Sequence, residues 1–289
     1  MKRMSTSDKV VTLVVYIFLS LIAIVCIFPF VNVFSKSISL EKYVAAGQVL
    51  LLPKGFQLDA YKYLLRNDLF LTSFFNSVII VTLGVALNMA LTVLTAYPLS
   101  RKPFPGQRAI MSLFVFTMFF SGGMIPIYLL LKDLKMLDTW GSLILPTFLS
   151  VYNLILMKNF FLSIPDEMEE SARIDGCSNV GILLRVFIPL AMPAIMTLTL
   201  FYAVNHWNAF FNAMMYITDV KKQPLQIFLR NIVLDMESGA SNEEKIFMQV
   251  DMQSVKSATV ILSTLPIVII YPFVSKHFTK GVMVGAVKG

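Results

Sequence analysis

Long apolar runs separated by polar connections set the pattern of this chain. A window of about 19 residues finds runs that are long enough to cross a hydrocarbon core of roughly 30 Å as helices. They cover about 10–34, 71–99, 109–131, 142–162, 186–211 and 257–275. The pattern predicts an all-α integral membrane protein with about six transmembrane helices.

We interpret residues 1–289 as a single membrane domain, with core helices over 71–275 and a tail over 276–289. The N-terminal segment 1–34 carries the first apolar run. This run is too long for the apolar core of a signal peptide, and it lacks a small-residue cleavage site. We therefore expect a retained anchor helix.

Two connections, 35–70 and about 212–256, are long and polar, and we expect both on the external side. Pro53-Lys54-Gly55 is a turn signal in the first of them. Within the third apolar run, Gly122-Gly123 and Pro126 allow two interpretations. The helix is either broken, so that backbone carbonyls line a cavity, or simply kinked against a neighbouring helix.

The charge distribution agrees with a membrane protein, since only 14% of the residues are charged, against about 25% in soluble domains. Lys and Arg concentrate in three short segments, and cationic loops resist translocation, so we expect these segments and both termini in the cytoplasm. The residues are Lys2, Arg3 and Lys9, then Arg101, Lys102 and Arg108, then Lys276, Lys280 and Lys288. Because the basic residues flank apolar runs, the net charge of +7 gives no support to a nucleic-acid partner.

Motifs for covalent chemistry are missing from the sequence. No G-x-x-x-x-G-K-[ST] run is present to cradle phosphate, so we expect any ATP to bind to another chain. His206 and His277 stand far apart without a Cys/His cluster, which leaves a metal site without support. Cys26 and Cys177 fall in different parts of the topology, so we expect no disulfide. An intramembrane enzyme would place acidic residues or histidines inside its apolar runs, and the sequence has only His206 there, near an outer boundary.

The connection after the fourth apolar run carries the start and stop signals of a short helix. Pro165 suits a first helical turn, and the acids after it complement the helix dipole. Gly176 suits the left-handed position that closes a helix, and Ser178 or Asn179 could cap a second helix running toward Pro189. The pattern predicts a helix-turn-helix at the membrane surface, and a solvated hairpin without a partner fits it equally well.

The same loop, 163–189, resembles the signature E-A-A-x3-G-x9-I-x-L-P of permeases in binding-protein-dependent ABC importers. The matching residues are Glu170-Ser171-Ala172, Gly176 and Val186-Phe187-Ile188-Pro189. The spacing is complete, and the three departures, at Ser171, Val186 and Ile188, keep small or apolar character. The resemblance implies the MetI-like fold of type I importers, in which this loop is a coupling helix that docks into a groove on an ATPase.

The resemblance also assigns functional residues. Those expected to couple to the ATPase are Glu170, Ser171, Ala172, Asp175, Gly176 and Pro189, with further contacts from Lys280 and Gly281 in the tail. ATP and Mg²⁺ are then expected on an ATPase dimer, with no cofactor bound to this chain. The alternative is that only Ala172 and Gly176 matter, for close packing and for turn geometry.

Other stretches resemble the carbohydrate branch of these permeases. They are Ala96-Tyr97-Pro98-Leu99-Ser100-Arg101 with Phe104-Pro105-Gly106, Phe120-Ser121-Gly122-Gly123-Met124-Ile125-Pro126, His206-Trp207-Asn208, and the ending from Lys280 to Gly289. The ending is similar to that of maltose-type second permeases, and the two stretches before it to a subgroup served by lipoprotein-type binding proteins. The resemblance implies a second homologous permease, an extracytoplasmic binding protein and an oligosaccharide cargo, in a bacterial cytoplasmic membrane.

Polar side chains in apolar runs usually face protein or water, so several are candidates for the substrate pathway. They are Asn76, Asn88, Asn153, Asn205 and Asn208, with Tyr202 and Trp207 as aromatic surfaces for a sugar ring. Helix packing is the competing interpretation for each Asn, and interfacial anchoring for the aromatic pair.

These observations predict a non-catalytic permease that moves an oligosaccharide by alternating access between two packings of its helices. The same machinery could instead carry an amino acid, a peptide or an ion. A sensory partner that transports nothing is a third alternative.

Overall fold

The computed structural model describes residues 6–101, 103–237 and 252–286, with side chains over 9–101, 103–234 and 252–272. The helices are α1 Thr6–Ser37, α2 Glu41–Ala45, α3 Asp59–Arg66, α4 Asp68–Ser100, α5 Gln107–Phe119, α6 Met124–Asp133, α7 Gly141–Ile144, α8 Val151–Leu162, α9 Asp166–Ile174, α10 Asn179–Ile182, α11 Ile188–Leu190, α12 Met192–Trp207, α13 Phe211–Tyr216, α14 Leu225–Glu237 and α15 Met252–Ala286. Leu145–Thr147 and Val220–Lys222 are 3-10 turns, and Leu183–Phe187 is a π-helical turn. The predicted all-α architecture is confirmed for these residues.

All six predicted apolar segments are helical, but only three are single helices. Lys9–Ser37, Asp68–Ser100 and Met252–Pro272 are each long and apolar enough to span a membrane. The other three are bent pairs, with angles of 110° between α5 and α6, 52° between Gly141–Thr147 and α8, and 82° between Asn179–Leu190 and α12. The six predicted segments therefore stand, and hydropathy gave no sign of the bends in the fourth and fifth of them.

The third segment is broken, which decides between the two interpretations of its glycines. α5 ends at Phe119, residues 120–123 are not helical, and Gly123 has a φ of 85°. Glycine can adopt this positive φ because it has no Cβ to clash with the backbone. Pro126 then falls in the first turn of α6, where a missing N–H costs no intrahelical bond.

By packing, the chain divides into two compact units. One lies within Met1–Leu71 and Leu229–Thr264. Here the connection after α1 is bound to the end of that helix, since Asn32 Nδ2 donates to the Leu50 carbonyl and Ser35 Oγ to the Leu51 carbonyl, each at 2.6 Å. Gly55, with a φ of 65°, makes the predicted turn. The apolar side chains of α1 are exposed along most of its length.

The other unit lies within Thr72–Phe228 and Leu265–Gly289. Its main core joins α4, α8, α9, α12 and the segment from α10 to α11, and Phe161 and Phe187 are fully buried in it. Ala172 of α9 belongs to the same core. The core therefore holds α9 against the membrane-spanning helices.

Two helices, α13 and α14, occupy part of the long polar connection over about 212–256. Leu225, Ile227 and Ile232 of α14 are buried, so this helix has an apolar side despite its acidic surroundings. The polar composition of the connection gave no sign of α14, whose apolar positions lie on one side of the helix. The Ser-Gly-Ala-Ser-Asn run over 238–242 has the composition of an exposed loop, and it lies outside the described residues.

Candidate functional site

The loop between the fourth and fifth apolar segments forms the predicted helix-turn-helix. α9 begins at Asp166, and Pro165 precedes it as the flanking N-cap residue, with φ −57° and ψ 140°. Pro165 is thus one position outside the first turn in which it was predicted. Asp166, Glu167 and Glu169 in that turn complement the positive end of the helix dipole.

α9 ends in a Schellman motif at Gly176. The Gly176 N–H donates to the Arg173 carbonyl and the Cys177 N–H to the Ala172 carbonyl, both at 3.0 Å. This pair of bonds requires a left-handed residue, and Gly176 has a φ of 79°. No described atom lies within 4 Å of a Cβ built on Gly176. Conformation, and not lack of space, therefore selects glycine here.

Ser178, and not Asn179, caps the second arm of the hairpin. Its Oγ accepts a hydrogen bond from the Gly181 N–H at 3.2 Å. The chain then runs through α10, the π-helical turn and α11, which contains the exposed Pro189, and bends into α12. The hairpin is thus closed at its turn and continuous with a membrane segment.

α9 has an anchored face and an exposed face. Ala172 is buried, whereas four other predicted coupling residues are exposed: Glu170, Ser171, Asp175 and Gly176. Ile174, four residues after Glu170 and so on the same face, is 87% exposed. The exposed face offers carboxylates beside a large apolar side chain, a combination suited to a protein partner. No contact is described that tests these residue assignments, so they stay predictions.

Arg101, one of the predicted cytoplasmic charges and the last residue of a stretch that resembles carbohydrate permeases, lies against α9. Its side chain is 12% exposed, and Nη1 lies 3.1 Å from Glu169 Oε2. Nη2 donates to the Phe161 carbonyl at 2.6 Å, and Nε donates to Ser100 Oγ at 3.2 Å. The guanidinium stacks over the Phe187 ring at 4.3 Å from its centroid. One side chain thus contacts α8, α9 and the π-helical turn.

Glu169 completes this cluster and is held in its charged form. Its side chain is 13% exposed, and Oε1 accepts from Arg173 Nη2 at 2.6 Å. Burial by itself raises the pKa of Glu169, but the hydrogen bonds and charges of Arg173 and Arg101 outweigh it and hold the pKa below its ordinary value. Arg101 and Glu169 are 68 residues apart in the sequence, so no local motif predicts that they pair.

A second polar cluster joins α4 and α12 at the break of the fourth segment. Asn88 Nδ2 donates to the Thr147 carbonyl at 2.7 Å, and Asn88 Oδ1 lies 2.6 Å from His206 Nε2. Because the carbonyl can only accept, the amide orientation is fixed, and His206 Nε2 must carry the proton. Gly84 makes room for this ring, since a Cβ there would lie 2.5 Å from Nε2.

Tyr202, one helical turn before His206, makes a parallel link. Its hydroxyl lies 2.8 Å from Thr92 Oγ1 and accepts from the Ser150 N–H at 3.2 Å. Ser150 is the N-cap of α8. Asn88 and Tyr202 therefore satisfy backbone groups that a broken helix leaves open inside a membrane, where each unpaired group costs several kcal/mol. This supports the packing interpretation for both, while a sugar contact by either stays a prediction.

Asn76 and Asn153 also lie in packed positions. Asn76 Nδ2 donates to the carbonyls of Lys221, at 2.8 Å, and Gln223, at 3.1 Å, so it holds the connection before α14. Asn153 is buried in the first turn of α8. These contacts favour helix packing for Asn76 and leave the role of Asn153 as predicted.

The remaining pathway candidates lie near the end of α12. Trp207 is buried, with its ring edge-on to Phe74 at 6.1 Å between centroids. Asn205 and Asn208 are exposed, and an exposed amide is available to a ligand or to a partner chain. The predicted tail residues Lys280 and Gly281 fall within helix α15, and their side chains lie outside the described residues.

The apolar helices, half of them broken, and the exposed hairpin between the fourth and fifth segments define a multi-pass membrane permease. Over residues 1–284 the chain matches the family described as "Binding-protein-dependent transport system inner membrane component", and it belongs to that family. The predicted class, the permease of a binding-protein-dependent ABC importer, is therefore confirmed.

Curated relatives and a solved structure resemble the chain over nearly its full length. "Polygalacturonan/rhamnogalacturonan transport system permease protein YtcP" of Bacillus subtilis is 41% identical over 98% of this chain and 99% of its own. "Protein LplC" of the same organism is 43% identical over 94% and 93%. The crystal structure of a bacterial ABC transporter "involved in the import of the acidic polysaccharide alginate" contains a chain with 35% identity and a TM-score of 0.89, covering 96% of this chain and 100% of that one.

Proposed function

We propose that this permease imports an oligosaccharide and that its α9–α11 hairpin docks on a separate ATPase. The observation that carries the proposal is the division of α9, in which Ala172 is fixed in the core while Glu170 and Ile174 project outward. An anchored helix with an exposed acidic and apolar face suits insertion into a groove of another protein. The turn at Gly176 already orders the hairpin, so the hairpin loses less conformational entropy when it binds.

The proposed assembly contains a second homologous permease, an ATPase dimer that binds ATP and Mg²⁺, and an extracytoplasmic binding protein. The family description supports the last of these, since it names binding-protein-dependent transport. The exposed apolar side of α1 suits lipid or the second permease. The chain itself performs no covalent step and contributes two alternative packings of its helices, whose balance the nucleotide state shifts.

Contacts between connections support the proposed orientation, with both termini in the cytoplasm. Arg101, after the second segment, pairs with Glu169, after the fourth, so these two connections share one side. Asp138, after the third segment, accepts from the Thr218 N–H at 3.0 Å and the Asp219 N–H at 2.9 Å, after the fifth. Six alternating crossings require this pairing of connections, and the basic residues near Arg101 favour the cytoplasm for the side that Arg101 shares with Glu169.

The relatives guide the proposed cargo. One is named for polygalacturonan and rhamnogalacturonan, and the solved structure for alginate, all of them polymers that contain uronic acids. We propose an oligosaccharide of this chemical class, which Asn205 and Asn208 would meet through their exposed amides.

Uptake by the purified complex tests the proposal. The complex is isolated through a tag on this chain and reconstituted into liposomes, with ATP supplied on the side of α9 and the binding protein on the opposite side. We expect ATP-dependent uptake of a labelled oligogalacturonide, no uptake of a labelled oligopeptide, and a several-fold loss of uptake in the Asn205→Ala/Asn208→Ala variant. Peptide uptake without sugar uptake would overturn the cargo, and the absence of ATP-dependent uptake of either would overturn the function.

A further inference from the structure

The Arg101 guanidinium is built into the structure at the point where the coupling hairpin meets the membrane segments. It follows directly on α4 and holds a carbonyl at the end of α8, a carboxylate of α9 and the face of a ring in the π-helical turn. Through these bonds a single charged side chain is in polar contact with both a membrane segment and α9. A displacement of α9 must therefore be shared with α4 through this group or break its bonds.

The chemistry of the contact requires arginine. The planar guanidinium presents several N–H donors in a fixed fork and also stacks on aromatic rings. At Arg101 the fork divides between the Phe161 carbonyl and the Glu169 carboxylate, while the flat face covers Phe187. A lysine ammonium is a point charge and can keep the pair with Glu169, but it cannot make all three contacts together.

The residues of α9 that pack inward and those that are exposed lie on different sides of the helix. Glu169 and Ala172, three positions apart, face inward, whereas Glu170 and Ile174, four positions apart, face outward. A partner can therefore grip the outer face while the inner face stays bonded to Arg101. The clasp, defined as Arg101, Glu169, Phe161 and Phe187, lies between the exposed face of α9 and the membrane helices.

We infer that Arg101 is a positioning residue that transmits movement of α9 to α4, so that ATP hydrolysis is converted into transport. The inference rests on the proposed docking of α9 on an ATPase. It adds a separate claim, namely that docking and transmission depend on different residues of the same hairpin.

The test measures sugar transported per ATP hydrolysed, together with the amount of ATPase that co-purifies. In Arg101→Gln we expect the ATPase to co-purify as with the wild type and transport per ATP to fall about tenfold, within the ~5–150-fold range usual for coupling between sites. Arg101→Lys should recover part of this loss, because it keeps the charge pair with Glu169. Arg108→Gln, at an exposed cation in the first turn of α5, is the matched control and should behave as the wild type.

Glu169→Gln breaks the ion pair between Arg101 and Glu169 by changing the carboxylate instead of the guanidinium. This variant still tests the inference if Arg101→Gln does not fold. We expect the two substitutions together to lower transport per ATP little more than either alone, because residues of one network are not additive. Additive losses, or wild-type transport per ATP in both single variants, would overturn the inference. If the wild-type chain brings down no ATPase, the proposed docking fails, and that outcome is distinct from a failure of the clasp.

Discussion

Replacing Gly176 with proline is expected to lower recovery of the ATPase with this chain by roughly tenfold to a hundredfold. Proline holds φ near −65°, whereas Gly176 has a φ of 79°, and proline also lacks the N–H that bonds to the Arg173 carbonyl. Forcing an unfavourable backbone conformation costs about 1–3 kcal/mol, and each 1.4 kcal/mol is a tenfold change in affinity. Pull-down through a tag on the chain, followed by quantification of the co-purified ATPase, measures the effect.

The matched control is Gly181→Ala in the same hairpin. A Cβ on Gly181 would lie 3.4 Å from Ser178 Oγ, which is ordinary contact, and its backbone is helical. This variant should retain the ATPase, and Gly176→Asn should fall between the two, since asparagine tolerates the left-handed region better than other non-glycine residues. If the Gly176→Pro variant brought down a normal amount of ATPase, the hairpin would not be the part of the chain that docks on it.

Gly84→Ala is expected to destabilise the chain by about 1–3 kcal/mol, the usual cost of overpacking a filled interior. Gly84 has an ordinary conformation but no room, because a new Cβ would lie 2.5 Å from His206 Nε2. The ring cannot turn away without losing Asn88, which it meets at 2.6 Å. Thermal unfolding of the purified chain in detergent measures the loss.

A double variant separates this steric effect from a general intolerance of substitution in α4. Gly84→Ala combined with His206→Ala should be more stable than the sum of the two single effects predicts, because the added methyl group then has space. Gly122→Ala, where the nearest side-chain atom would be 3.8 Å away, serves as the neutral control. Strictly additive losses would show that Gly84 is not selected by the His206 ring.

Hydropathy was sufficient to locate the six apolar segments, and local signals were sufficient to place the hairpin. The left-handed turn at Gly176 and the cap at Ser178 follow from neighbouring residues, which is why the sequence could predict them. The breaks in the fourth and fifth segments could not be predicted in the same way. The backbone groups of Thr147 and Ser150 are satisfied by side chains from α4 and α12, and their partners become known only when the helices pack.

The candidate site shows the same limit. Glu170 and Gly176 were identified by a local motif, whereas Arg101 became a candidate only when the structure placed it against Glu169. A basic residue near the end of an apolar run marks the cytoplasmic side whatever its side chain contacts. The position of Arg101 in the sequence therefore gave no reason to expect a contact with α9. Asn88 was selected as a polar residue in an apolar run and Tyr202 as an aromatic surface for a sugar ring, and the structure engages both in helix packing.

Cross-linking from the exposed face of α9 determines whether this face meets the ATPase. In a chain carrying Cys26→Ser and Cys177→Ser, a cysteine is introduced by Ile174→Cys, at a position 87% exposed, or by Leu52→Cys, at a position 78% exposed in the connection after α1. With a bifunctional thiol-to-amine reagent, we expect a covalent product with the ATPase for Ile174→Cys and none for Leu52→Cys. If only Leu52→Cys gave a product, or if a thiol reagent added on one side of the membrane labelled both cysteines, the outer face of α9 would not be the docking face.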